Sequence, residues 1–154
     1  MKKVLALISA TLIFTSCTTD SNNSEESNND MIIGQWRYIG TKSYTVDGDS
    51  FTKDANDCIS SSTVTFRSNR TITSMNYSPI VTGGCEVNET ANNHSENIPW
   101  EKISEGKYRI GSSVRDSILF PNANTMEMMS CQNFFDPIEE VEIDQLSQVY
   151  TRIE

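Results

Sequence analysis

Four cysteines, one histidine and 21 carboxylates are the side chains through which this 154-residue chain could do chemistry, and their spacing decides which. A cysteine nucleophile needs a base beside it. The only histidine, His94, lies in the polar run Asn92-Asn93-His94-Ser95, and nothing in the sequence couples it to Cys131; it reads as a solvated loop side chain. Zinc asks for several nitrogen and sulfur ligands, and a lone histidine without a Cys-x-x-Cys pair supplies no such set. Asp47-Gly48-Asp49 followed by Asp54 suggests a calcium loop. It fails the template, because Thr52 stands where glycine is needed and Cys58 where the bidentate glutamate belongs, so a turn is expected. Glu139, Glu140, Glu142 and Asp144 are carboxylates of the kind glycoside hydrolysis uses, but that chemistry sets two of them across a cleft, whereas neighbours on one segment form a solvated face. No phosphate-binding loop is present. We therefore expect no enzymatic activity, no cofactor and no bound metal.

Cys17 stands apart by its context. Lys2-Lys3 precede an apolar run from Val4 to Phe14, then small Thr15 and Ser16. The run is too short to span a membrane, which takes about 20 residues, and it suits a secretory signal over residues 1–16. Leu12-Ile13-Phe14-Thr15-Ser16-Cys17 resembles the lipobox of bacterial lipoproteins. The resemblance implies diacylglycerol on the Cys17 sulfur, cleavage just before it and acylation, as by palmitate, of the new N-terminus. Each buried methylene adds about 0.8 kcal/mol, so two or three chains make such an anchor effectively permanent. Phe14 departs from the pattern where leucine is usual; the alternative is an ordinary signal peptide with Cys17 incidental. Thr18, in place of the aspartate that resembles a retention signal, points to the outer membrane of a Gram-negative cell. Asp20 and Ser24-Glu25-Glu26-Ser27 resemble an acidic surface-export stretch, or are simply a solvated spacer, so the periplasmic and surface faces both stay open.

Twelve basic and 21 acidic residues give a formal charge of −9, and loss of Lys2 and Lys3 with the signal takes it to −11. Such a domain repels phosphate backbones, which argues against nucleic acid, and it avoids anionic lipid, leaving Cys17 as the membrane contact. From Thr18 to Asp30 there is no apolar side chain to offset the entropy of ordering, so residues 17–31 are expected to be an acylated cysteine and a flexible tether. Residues 32–154 suit one domain.

The elements that must position any site read as strands. Gly34-Gln35-Trp36-Arg37-Tyr38-Ile39 opens one that runs to about Val46, before the turn at Asp47-Gly48-Asp49. Residues 52–61 are polar, with room for a helical turn. Ser62–Ser68 and Thr71–Tyr77 predict a hairpin about Asn69-Arg70, with Val64 and Phe66 inward. Ser78–Asn97 is loop-rich, with a weak strand around Cys85. Ile98–Ile103 and Lys107–Ser112 flank the turn Glu105-Gly106, and Ser117–Pro121 and Thr125–Cys131 flank Asn122-Ala123-Asn124. Pro137–Leu146 reads as a surface turn of helix or a loop. Gln148–Ile153 closes the chain, with Val149, Thr151 and Ile153 on one face and Tyr150 on the other. The expectation is all-β: an antiparallel up-and-down meander of about eight strands, the last pairing with the first, closing into a small barrel.

Gly34-Gln35-Trp36, Cys58, Thr63-Val64-Thr65-Phe66, Cys85, Pro99-Trp100, Lys107-Tyr108-Arg109-Ile110 and Val149–Ile153, in that order, resemble the lipocalin-like domain of small bacterial lipoproteins. The long Asn-rich loop and Cys131 depart from it. The resemblance implies the barrel, ligand carriage and a Cys58–Cys85 pair; the residues alone leave Cys58–Cys131 and Cys85–Cys131 open. Cys131 is then the odd thiol, for which a buried, inert place is usual. Trp36, Tyr38, Phe66, Trp100 and Tyr108, with Phe120, form the candidate inner face. They either fill the lumen or line a site for a small apolar or sugar-like molecule. A filled barrel would instead leave an outer-membrane lipoprotein that works by binding an envelope protein.

Overall fold

The computed structural model describes residues 30–92 and 96–153. The signal, Cys17 and most of the tether lie outside the described residues, as does His94. Twelve strands alternate with turns: β1 Gly34–Thr45, β2 Ser50–Asp54, β3 Thr63–Phe66, β4 Thr71–Met75, β5 Tyr77–Pro79, β6 Cys85–Val87, β7 Ile98–Ser104, β8 Lys107–Ile110, β9 Ser113–Arg115, β10 Ile118–Asn122, β11 Thr125–Asp136 and β12 Val141–Ile153. A 3-10 turn at Ile59–Ser61 and one helical turn, α1 at Glu89–Asn92, are the helical pieces among the described residues.

All pairings are antiparallel, and the strand order β10-β11-β12-β1-β3-β4-β7-β8-β9 follows the chain cyclically, with β2 added to β1 and β5-β6 forming a separate ribbon. The last strand returns to the first: Trp36 faces Arg152 and Tyr38 faces Tyr150 across β1 and β12. The expected class is therefore met, but two finer expectations are corrected. Among the described residues the strands number twelve rather than about eight: the weak strand expected around Cys85 forms as β6, and short strands β2, β5 and β9 form where turns or loops were expected. The sheet is also not a closed barrel among the described residues. Gly111, at φ 57°, turns β8 straight back into β9, so β9 pairs with β8. β10 therefore meets the β7–β8 turn instead of a strand, and the Ile118 amide donates to the Gly106 carbonyl at 2.8 Å.

The acidic stretch Pro137–Leu146 is also corrected. It holds a hairpin, with the turn at 137–140 and β12 beginning at Val141, because Val141, Ile143 and Leu146 pair with Asp136, Phe134 and Cys131 on β11. Opposed apolar and aromatic side chains outweigh the turn-like composition of the tip. Tyr44 on β1 donates to Glu127 on β11, and Lys42 lies 3.3 Å from the same carboxylate, which tethers β1 to β11 across β12.

One core cluster gathers Ile32, Trp36, Phe66, Ile72, Trp100, Tyr108, Ile118, Met126 and Met128 from strands along the whole order, so the sheet wraps around them. Contacts reach back to Asp30. Ile32 is fully buried, Trp36 Nε1 donates to the Ile32 carbonyl at 2.8 Å, and the Tyr108 hydroxyl donates to Asp30 at 2.8 Å. Arg152 completes this end. Its guanidinium lies 4.2 Å over the Trp36 ring and donates to the carbonyls of Met31, Ile33 and Ala123. Glycine is needed at position 34 for this: a Cβ there would stand 2.4 Å from Arg152 Nη1. The same holds at Gly40, where β1 runs so close to β2 that a Cβ would meet the Lys53 carbonyl at 2.3 Å.

Candidate functional site

The opposite end of the interior is hollow. A cavity of about 510 Å³ opens there, within the usual range of small-molecule sites. The period-2 alternation of the strands builds its wall. Val64 faces Ser74 and Phe66 faces Ile72 across β3 and β4, Ile72 faces Ile98 on β7, and Met128 faces Gln148 across β11 and β12. Each of these side chains lines the cavity. Tyr38 and Tyr150 meet edge to face beside it, ring centres 5.6 Å apart.

Residues outside the main sheet cover one side. Asn76, Tyr77, Ser78, Pro79, Asn88 and Ala91 belong to this flap, with Ile59 and Ser62 facing them. Its polar groups are satisfied locally, as a segment without its own core requires. Asn88 accepts from the Ala91 amide at 3.0 Å as the N-cap of α1 and donates to Ser78 at 2.9 Å; Asn92 accepts from the amide and side chain of Asn76; the Tyr77 amide donates to Ser62 at 3.0 Å. Cys58 and Cys85 form a disulfide that fastens the flap to the 3-10 turn. It closes a loop between residues 27 apart in sequence, worth about 3.5 kcal/mol in the chain-entropy view. Replacing both cysteines by serine is expected to lower the unfolding free energy by about that amount in urea titrations. A loss below about 1 kcal/mol would show that the flap's hydrogen bonds hold it unaided.

Two features give the cavity its electrostatic character. Burial pushes the Tyr150 phenol up to about 12, with neighbouring Tyr38 adding to the rise and the Arg115 charge opposing it; its hydroxyl donates to Gln148 at 2.9 Å. Burial likewise raises Tyr38. Among the described residues, Arg115, on β9, is the one charged residue in a wall otherwise made of apolar, aromatic, hydroxyl and amide side chains.

Of the five aromatics singled out from the sequence, Tyr38 and Phe66 line the cavity. Trp36, Trp100 and Tyr108 are at most 3% exposed and pack in the core, Trp100 between Phe66 and Tyr108. Cys131 is a free thiol and is exposed rather than buried. Glu139, Glu140, Glu142 and Asp144 are exposed around the β11–β12 turn, and Asp47-Gly48-Asp49 forms the β1–β2 turn. Sequence reasoning passed over Arg115 and Gln148. Gln148 was legible in principle, two residues from Tyr150 on the same strand face. Arg115 had no signal, because it falls in the short polar connection between the expected strands Lys107–Ser112 and Ser117–Pro121.

No family of known proteins, no characterised protein and no solved structure matches this chain.

Proposed function

We propose that this chain is a lipid-anchored binding module of the bacterial cell envelope, carrying a small, largely apolar molecule in the cavity at one end of a lipocalin-like fold. The observation that carries the reading is the cavity itself: about 510 Å³ bounded by Val64, Phe66, Ile72, Ile98, Ile110 and Met128, in a domain whose other end is tightly filled. A domain of this size has little apolar surface to spare, and leaving that much of it unpacked costs stability that filling side chains would recover. The cyclic strand order, with β12 back on β1, supports the lipocalin-like likeness. The anchor rests on the lipobox-like run ending at Cys17, and the outer-membrane address on Thr18. Palmitate labelling of cells carrying Cys17→Ala tests the anchor: label retained by the variant would refute it.

Native mass spectrometry of the secreted domain after exposure to alkyl and glycan compounds tests carriage. Ser74→Trp, which places an indole in the cavity, is expected to weaken any binding at least about tenfold while keeping the unfolding free energy within about 2 kcal/mol of the wild type. An unloaded wild-type domain, or undiminished binding by Ser74→Trp, would count against the cavity as the site.

A second reading, binding of an envelope protein, is favoured by Phe135 and Ile138, which stand 58% and 75% exposed at the end of the β11–β12 arm. Crosslinking in cells from position 138 that captures no protein would count against it.

A further inference from the structure

The cavity wall is unlike the rest of the molecule in charge. The chain as a whole is acidic, yet none of the described residues lining the cavity is an aspartate or glutamate. The single charge among those described residues is positive. Arg115 is the cross-strand partner of Tyr108, whose side chain is 1% exposed in the core, so the ladder directs Arg115 to the inner face as well. Its Nε is buried and has no hydrogen-bond partner. Among the described residues no carboxylate lies within ion-pair distance of it; the adjacent Asp116 is taken by Lys107 at 2.6 Å. An N–H of a guanidinium that is withdrawn from water and left without an acceptor is costly, and structures rarely keep one without a use. Beside it lie Tyr150, near enough for the Arg115 charge to favour its phenolate, and Gln148, which accepts the Tyr150 hydroxyl proton. Elsewhere the wall is apolar, at the buried side chains of Phe66, Ile72 and Met128.

The geometry points to an amphipathic anion as the ligand: an alkyl or similar apolar body packed on Phe66, Ile72 and Met128, with a carboxylate or comparable oxyanion head accepting from Arg115. This rests on the reading of the cavity as a ligand site and names its chemistry. A guanidinium presents paired donors that suit a planar carboxylate, and a charge-assisted bond in a poorly hydrated site is among the stronger polar contacts available.

Isothermal titration of the secreted domain near pH 8 with decanoate, decyl sulfate and decan-1-ol separates the two levels of the argument. The expected result is that decanoate binds about tenfold to a hundredfold more tightly than the neutral alcohol of the same length. Arg115→Met should erase that preference while leaving decan-1-ol binding within about threefold, and Arg115→Lys should restore part of it. Tighter binding of decyl sulfate than of decanoate would keep the anion site and assign the head as a sulfate-like group. Equal binding of decanoate and decan-1-ol by the wild-type protein would overturn the anion proposal and leave the cavity reading standing. If neither binds, both fall. The wild-type comparison decides the matter even where Arg115→Met does not fold.

Discussion

Trp36→Ala is expected to lower the unfolding free energy by about 3–5 kcal/mol, a large part of the about 5–15 kcal/mol that holds an ordinary domain folded at 25 °C. Trp36 is completely buried, holds Ile32 through its indole N–H, lies 5.8 Å from Phe120 ring centre to ring centre, and carries the Arg152 guanidinium on its face. Alanine removes the apolar area and leaves a cavity, and it also strips the Ile32 carbonyl of its donor and Arg152 of its platform. Trp36→Phe separates these contributions: it keeps most of the area, so a loss of about 1–2 kcal/mol would measure the indole hydrogen bond. Urea titrations followed by far-ultraviolet circular dichroism give both numbers. Equal losses for the two variants would show that the hydrogen bond, and not the packed area, dominates this end.

Raising the pH from about 10 to about 12 is expected to remove about 5 kcal/mol of stability. Tyr150 has its phenol pushed up to about 12 by burial, and Tyr108 is raised further still, by burial and by its hydrogen bond to Asp30. The ordinary value in the unfolded chain is about 10. Between the two values the folded state keeps protons that the unfolded state has lost, so the stabilisation is whole below pH 10 and falls as the pH climbs. Each such tyrosine contributes a slope of about 1.4 kcal/mol per pH unit. Tyr150→Phe should therefore make the slope shallower, at little cost in packing. Unfolding midpoints in urea across that range check it, and a wild-type stability that stays level to pH 12 would refute it. The same substitution leaves Arg115 without its phenolic neighbour, so repeating the decanoate titration on it shows whether the tyrosine assists the head group.

The sequence by itself determined the class of the fold, all-β and antiparallel. Apolar and aromatic residues two apart placed β1, β3, β4, β7, β8 and β11, because a strand turns alternate side chains to one face whatever else the chain does. Gly34-Gln35-Trp36 was legible as a strand opening, though the use of Gly34, space for an arginine 118 residues further on, was not.

Tertiary structure alone decided the rest. Which aromatics fill the core and which face open space depends on position along the axis of the wrapped sheet, and Trp36, Trp100 and Tyr108 alternate no differently from Tyr38 and Phe66. The failure of the sheet to close was invisible because it turns on one glycine at Gly111 that sends β9 back onto β8. Arg115 became a candidate for the same reason. Its inward aim comes from pairing with Tyr108, and its lack of a partner comes from Asp116 being drawn to Lys107. Both are properties of neighbours brought together in space, which no spacing along the chain encodes.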